Sequence, residues 1–156
     1  MKIKKTTLII FILIPLLVGG ISALLTMGAM KDFALINKPP LSPPAWLFPV
    51  VWTVLYILMG ISSYIIYTAP VSDEKALKAL IPYGIQLIFN FFWSIIFFNL
   101  GWYLFAFIWL VVMLIFILIT FKRFYEISKP AAFLLIPYIL WTIFAGYLNF
   151  GIYLLN

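Results

Sequence analysis

Gly101-Trp-Tyr-Leu-Phe-Ala-Phe-Ile-Trp109-Leu-Val-Val-Met-Leu-Ile-Phe-Ile-Leu-Ile-Thr-Phe121 contains no charged residue and stops at Lys122-Arg123. A bilayer core needs about 20 apolar residues per helix. A strand is shorter than this run, and the run lacks the alternation of a membrane barrel. It reads as a membrane-spanning helix. Working outward, four more runs of the same kind lie between charged or Pro-rich breaks. The five predicted spans are about 6–30, 46–68, 77–98, 101–121 and 130–155. Together they make residues 1–156 one domain, an all-α integral membrane bundle of five helices.

Composition agrees. Of the 156 residues, 67% are hydrophobic and 9% charged, more apolar surface than a soluble fold of this size hides. Mean hydropathy is +1.22. His and Cys are both absent. The inventory therefore argues against disulfides, thiol chemistry, Cys/His zinc sites, a His-based nucleophile pair and a His- or Cys-ligated haem. The net charge of +6 is scattered between apolar runs and forms no stripe for nucleic acid.

Met1-Lys-Ile-Lys-Lys5 followed by an apolar run resembles a signal peptide. The run is too long for one and no small-x-small site follows, so it reads as a retained first helix. No mitochondrial presequence is visible, and Arg123 is the only arginine. Lys2, Lys4, Lys5, Lys75, Lys78, Lys122, Arg123 and Lys129 fall on one side of the five-span topology. Lys31 and Lys38 fall on the other. The positive-inside rule then predicts a cell-membrane protein with a cytoplasmic N-terminus and an outer C-terminus.

The first loop, about Lys31 to Ala45, is long and carries Pro39, Pro40, Pro43 and Pro44. It is stiff and non-helical, either a lid or a spacer. Asp32, Asp73, Glu74 and Glu126 all lie in loops or at span edges. The spans hold no ionisable group for a proton relay, which disfavours coupled transport and acid–base or metal chemistry. No P-loop, dinucleotide fingerprint or internal repeat is present.

Aromatics make up 20% of the chain. In the third span Gln86, Asn90, Trp93 and Phe97 share one helix face. Two amides there cannot face lipid cheaply, so the stripe is predicted to face inward. Amide glue between helices, about 0.6 kcal/mol per bond, and ligand contact both remain open. The fifth span offers Pro137, Trp141, Ala145 and Asn149 at spacings of four, with Gly146. The second offers Trp52 and Tyr56, with Gly60 and Ser63. The fourth offers Trp102, Ala106, Trp109 and Met113. In the first, Gly19 and Ala23 have small-xxx-small spacing beside Ser22, which points to close helix packing. Five spans each turning a Trp, an amide or a small residue inward argue for a cavity.

Asn37-Lys-Pro-Pro-Leu-Ser-Pro-Pro-Ala-Trp46-Leu-Phe-Pro-Val-Val-Trp52-Thr-Val-Leu-Tyr56-Ile-Leu-Met-Gly60 resembles the hallmark of the TspO/MBR family, the tryptophan-rich sensory proteins. Their mitochondrial relatives are called translocator protein or peripheral-type benzodiazepine receptor. Gln86-x-x-x-Asn90-x-x-Trp93 and Trp141-x-x-x-Ala145-x-x-x-Asn149-Phe150 resemble the later motifs, and the likeness runs from about Leu8 to Leu154. The resemblance implies five helices around a ligand cavity closed by the first loop, often in a homodimer. It implies binding of porphyrins, notably protoporphyrin IX, and of isoquinoline-carboxamide and benzodiazepine drugs. Some bacterial members degrade the porphyrin in light and oxygen. Trp52 and Trp141 resemble the cavity tryptophans. Ala23, Trp46, Tyr56, Asn90, Trp93, Trp102, Ala145 and Asn149 resemble further cavity or lid positions. The mitochondrial cholesterol motif is missing, because no base follows Tyr147 or Tyr153. This suggests the bacterial branch.

The expected function is a porphyrin-binding receptor or sensor in the lipid bilayer, with protoporphyrin IX as ligand or substrate and no required cofactor or metal. Trp52 and Trp141 are the tentative photochemical residues, Gln86 and the positions above the binding residues. Lys31 and Lys38 stand near enough to meet propionates, or serve as plain interfacial anchors. The alternative is a passive carrier of hydrophobic ligands. A blander third is a partner-binding protein using the fourth loop, Lys122 to Lys129, which otherwise reads as a positive-inside anchor.

Overall fold

The computed structural model describes residues 4–156, so Lys2 lies outside the described residues. Among the described residues five stretches are long and apolar enough to cross a membrane. Helix α1 spans Lys5–Thr26 and a single turn, α2, Met30–Phe33. Helix α3 spans Leu47–Tyr67. Helix α4 spans Asp73–Ser94 and runs into a π-turn at Ile95–Asn99. Helix α5 spans Tyr103–Tyr125. The last span is two helices, α6 at Lys129–Phe133 and α7 at Ile136–Leu155. The all-α five-span bundle expected from the sequence is what the chain forms.

The ends differ from the apolar runs for local reasons. Helix α4 begins at Asp73, four residues before the apolar run, because Ser72 Oγ accepts from the Lys75 amide and Asp73 and Glu74 favour the positive helix start. Helix α5 continues to Tyr125 because Lys122 and Arg123 suit the negative end of a helix. The last span breaks at Leu134 and Leu135. Pro137 has no N–H to give the Phe133 carbonyl four residues back, and its ring would collide with it. The first span ends at Thr26, short of the expected Met30, and Met27–Ala29 form a turn before α2.

Helix α1 packs on α3 and α4, α4 on α5, and α5 on α7. Glycine makes the first of these contacts close. A Cβ on Gly60 would stand 2.5 Å from Ile12 Cα and 2.7 Å from the Phe11 carbonyl oxygen. That carbonyl lost its helical donor to Pro15, so it lies free against the glycine. At the other end of α1, Ser22 Oγ donates to the Phe91 carbonyl at 3.0 Å, and Asn99 Nδ2 donates to the Leu25 carbonyl at 3.1 Å.

Helices α3 and α7 meet in another way. At the end carrying Lys4, Lys75 and Arg123, Ser62 Oγ donates to the Ala131 carbonyl of α6 at 2.6 Å. Farther along, side chains bridge the two helices: Trp52 lies edge-on to Tyr138 at 6.2 Å and Phe48 edge-on to Trp141 at 5.9 Å. The pair forms a wedge, clamped at the basic end and filled with aromatic rings above.

Candidate functional site

The interior polar groups form a chain across three helices. Tyr56 Oη donates to Asn90 Oδ1 at 2.7 Å. Asn90 Nδ2 donates to Tyr138 Oη at 3.0 Å, and Tyr138 Oη donates to Gln86 Oε1 at 2.6 Å. Gln86 Nε2 ends the chain on Met59 Sδ at 3.7 Å. All five residues are buried. Two stripes bring them together. The stripe of Gln86, Asn90, Trp93 and Phe97, on α4 and the π-turn that continues it, faces inward, as its spacing predicts. On α7 the buried stripe is Tyr138, Thr142, Ala145 and Asn149. Pro137 is exposed: each step of four overshoots the helical turn by roughly 40°, so the series from Pro137 drifts out of the face that Asn149 occupies.

A second cluster sits nearer the first loop. Trp93 Nε1 donates to Asn149 Oδ1 at 3.1 Å, and Asn149 Nδ2 donates to the Tyr103 carbonyl at 2.7 Å. Trp109 stacks on Phe89 at 4.3 Å and donates from Nε1 to that residue's carbonyl at 2.8 Å. The amides thus act as glue between helices in this conformation.

The aromatic wedge is different. Trp52 stacks on Tyr56 at 5.6 Å, and the Tyr56 ring lies where a Cβ on Gly19 would be. Trp141 stands between Phe48 and Phe144. Its Nε1 is buried and has no hydrogen-bond partner among the described residues. A buried donor left unpaired costs about 1–3 kcal/mol, so the wedge holds a polar atom that an acceptor would satisfy.

The first loop runs as a strap along the second half of α7, antiparallel to it. Asn37 and Asn156 exchange hydrogen bonds at 3.0 and 2.9 Å. Pro39 packs on Gly151, where a Cβ would lie 2.7 Å from its ring. Tyr147 Oη donates to the Pro40 carbonyl at 2.8 Å. Leu41 has a left-handed backbone, φ +67°, which is strained for a side chain with a branched bulk. Ser42 Oγ closes that turn on the Pro39 carbonyl at 2.7 Å.

The structure therefore brings Trp52, Tyr56, Gln86, Asn90 and Trp141 together at the wedge, with Trp93, Ala145 and Asn149 above them. Ala23, Trp46 and Trp102 stand apart from this interior: Ala23 is exposed on α1, and the two tryptophans are 66% and 58% exposed just ahead of α3 and α5. Gly19, not Ala23, receives a neighbour. Lys31 and Lys38 are exposed, and Lys38 Nζ turns to the Ala34 carbonyl at 3.3 Å and over the Phe33 ring at 4.8 Å. Tyr138, the hub of the network, is absent from the stripe that the sequence predicts on this span; its place three residues before Trp141 is the signal that marks it.

A helical bundle with an aromatic wedge, an internal amide network and a prolyl strap defines a multi-pass membrane protein built around its own interior. The TspO/MBR family profile matches residues 11–155. The chain is 39% identical to the tryptophan-rich protein TspO of Chlorobaculum tepidum over 124 residues, 80% of this chain and 78% of the relative. It is 38% identical to the protein of the same name from Archaeoglobus fulgidus over 150 residues, 96% of both chains. It is 35% identical to the translocator protein of Bos taurus over 147 residues, 90% of this chain and 84% of the relative. The chain belongs to the TspO/MBR family.

Proposed function

We propose that the protein is a membrane receptor that binds a flat aromatic ligand, protoporphyrin IX or a drug-like isoquinoline carboxamide or benzodiazepine, in the wedge between α3 and α7. The observation that carries this reading is Trp141 Nε1, buried and unpaired among aromatic rings. A guest with a carbonyl or ring-nitrogen acceptor satisfies that donor. The rings filling the wedge are those a planar guest displaces and then stacks on. The strap of residues 37–46 acts as the lid.

A second, photochemical role rests on Trp52 and Trp141. Light excites the bound porphyrin, which passes its energy to molecular oxygen; the oxygen is reduced as it oxidises the ring, and the two indoles beside the ring are electron donors to that oxygen or are themselves oxidised by it. No acid–base group is needed. The basic end, with Lys75, Lys78, Arg123 and Lys129, faces the cytoplasm in this reading, and two copies of the chain form a homodimer.

Titration of purified protein with protoporphyrin IX, in the dark and then under light, tests the proposal. Saturable quenching in the dark supports the receptor, and protein-dependent loss of the porphyrin bands under light supports the chemistry. Absence of saturable binding overturns both.

A further inference from the structure

At the end opposite the strap, a cleft of about 280 Å³ opens between the start of α4 and the end of α5. That is several times the roughly 30 Å³ a water occupies in the liquid. Its walls carry charge of both signs. Lys78 is engaged by Glu74 at 2.6 Å. Lys75, Arg123 and Glu126 also line the cleft, and none of them is in an ion pair among the described residues. Two cations and one carboxylate thus converge without compensating one another. Ala79 and Ile127 supply apolar wall beside them.

The same two helices continue the surface toward the bilayer. Ile81 follows Lys78 by three residues and Ile119 precedes Arg123 by four, spacings that keep each on the face of its basic neighbour. Both are exposed, at 51% and 39%. Charge at the rim and bare aliphatic surface one turn deeper have the layout of one phospholipid standing in a groove. Basic pockets between membrane helices are where lipid headgroups bind.

We propose that this cleft seats the headgroup of a zwitterionic aminophospholipid. Its phosphodiester lies on Arg123 and Lys75, its ammonium on Glu126, and an acyl chain along Ile81 and Ile119. Guanidinium suits phosphate because it offers paired donors. Glu126 sets the selectivity: a phosphoglycerol headgroup has no cation to offer it, and a free phosphate has neither cation nor chain. This site is independent of the wedge and of any porphyrin.

Delipidated protein in a non-ionic detergent is titrated with short-chain phosphatidylethanolamine, short-chain phosphatidylglycerol and chain-free glycerophosphoethanolamine, with bound stoichiometry read by native mass spectrometry. The ethanolamine lipid is expected to bind about threefold more tightly than the glycerol lipid, and Arg123→Gln with Lys75→Gln to weaken both by about tenfold. Glu126→Gln is expected to weaken only the ethanolamine lipid and so erase the preference. Lys129→Gln, at the same end but outside the cleft, leaves binding unchanged. Equal affinity for the two lipids overturns the assignment, as does a double variant that binds like the parent. Equal weakening by Lys129→Gln makes general surface charge the cause. If the chain-free headgroup binds as tightly as the lipid, the ligand is a soluble phosphoester and the lipid assignment falls.

Discussion

Asn90 and Tyr138 share a hydrogen bond of 3.0 Å, Nδ2 to Oη, that joins α4 to α7 through the centre of the bundle. The tyrosine accepts from Asn90 and donates to Gln86, so one hydroxyl keeps two buried amides satisfied.

Tyr138→Phe keeps the ring and removes that hydroxyl. The Asn90 amide and the Gln86 carbonyl then each lack a partner. Membrane hydrogen bonds average about 0.6 kcal/mol, but stranding two buried groups raises the expected loss to about 1–2 kcal/mol. Thermal unfolding in detergent, followed by circular dichroism, should show a lower melting temperature. An unchanged one would mean the hydroxyl is dispensable.

Gly60→Ala places a methyl group against the backbone of α1, at 2.5 Å from Ile12 Cα. Backbone cannot swing aside, so α1 must move off α3, at a cost of about 1–3 kcal/mol. Gly20→Ala meets nothing within 4 Å among the described residues and serves as the matched control, with stability unchanged or slightly raised. Equal melting of the two variants would remove the close crossing from the account of the fold.

Trp52→Phe and Trp141→Phe retain apolar surface at the wedge and lose the indoles. Dark protoporphyrin IX binding is expected to fall by less than about tenfold, while illuminated loss of the pigment stops. Unchanged loss in both variants would refute the photochemical role and leave the receptor reading intact.

Gly151→Ala drives a methyl group to within 2.7 Å of the Pro39 ring. The strap is expected to lift from α7. Hydrogen exchange at its non-proline amides between residues 37 and 46 should rise by about tenfold, a loss of about 1.4 kcal/mol in local protection. Bound ligand should dissociate faster. Exchange that does not change would mean that the Asn37–Asn156 and Tyr147–Pro40 contacts hold the strap without help from the proline.

Much of this architecture is legible in the residues. Apolar length fixes the five spans, and the spacing of Gln86, Asn90, Trp93 and Phe97 fixes which face of α4 turns inward. Hydropathy is blind to backbone amides, however. The run from Pro130 to Leu155 reads as one helix, although Pro137 removes the donor that would join α6 to α7. The same blindness hid the charged first turn of α4. Tyr138 is not marked by the spacing, because steps of four from Pro137 pass beside it. Which amide meets which tyrosine depends on how the helices cross, and one chain's periodicity carries no information about that. The orphaned indole nitrogen of Trp141 and the seating of the prolyl loop along α7 are of the same kind.

The clamp between Ser62 and Ala131 ties α3 to α6, and so makes α3 and the α7 that follows α6 a pair of tweezers pivoted at the basic end. From Ser62 to the start of α3 at Leu47 is about 22 Å, so a tilt of roughly 9° at the pivot parts the tips by about 3.5 Å. That is about the contact thickness of an aromatic ring. Rings such as Phe48 and Trp141, which cross-link the tips without backbone hydrogen bonds, can separate at that amplitude while every helix stays intact. In the proposed receptor, admission of a flat guest therefore calls for leverage, not unfolding.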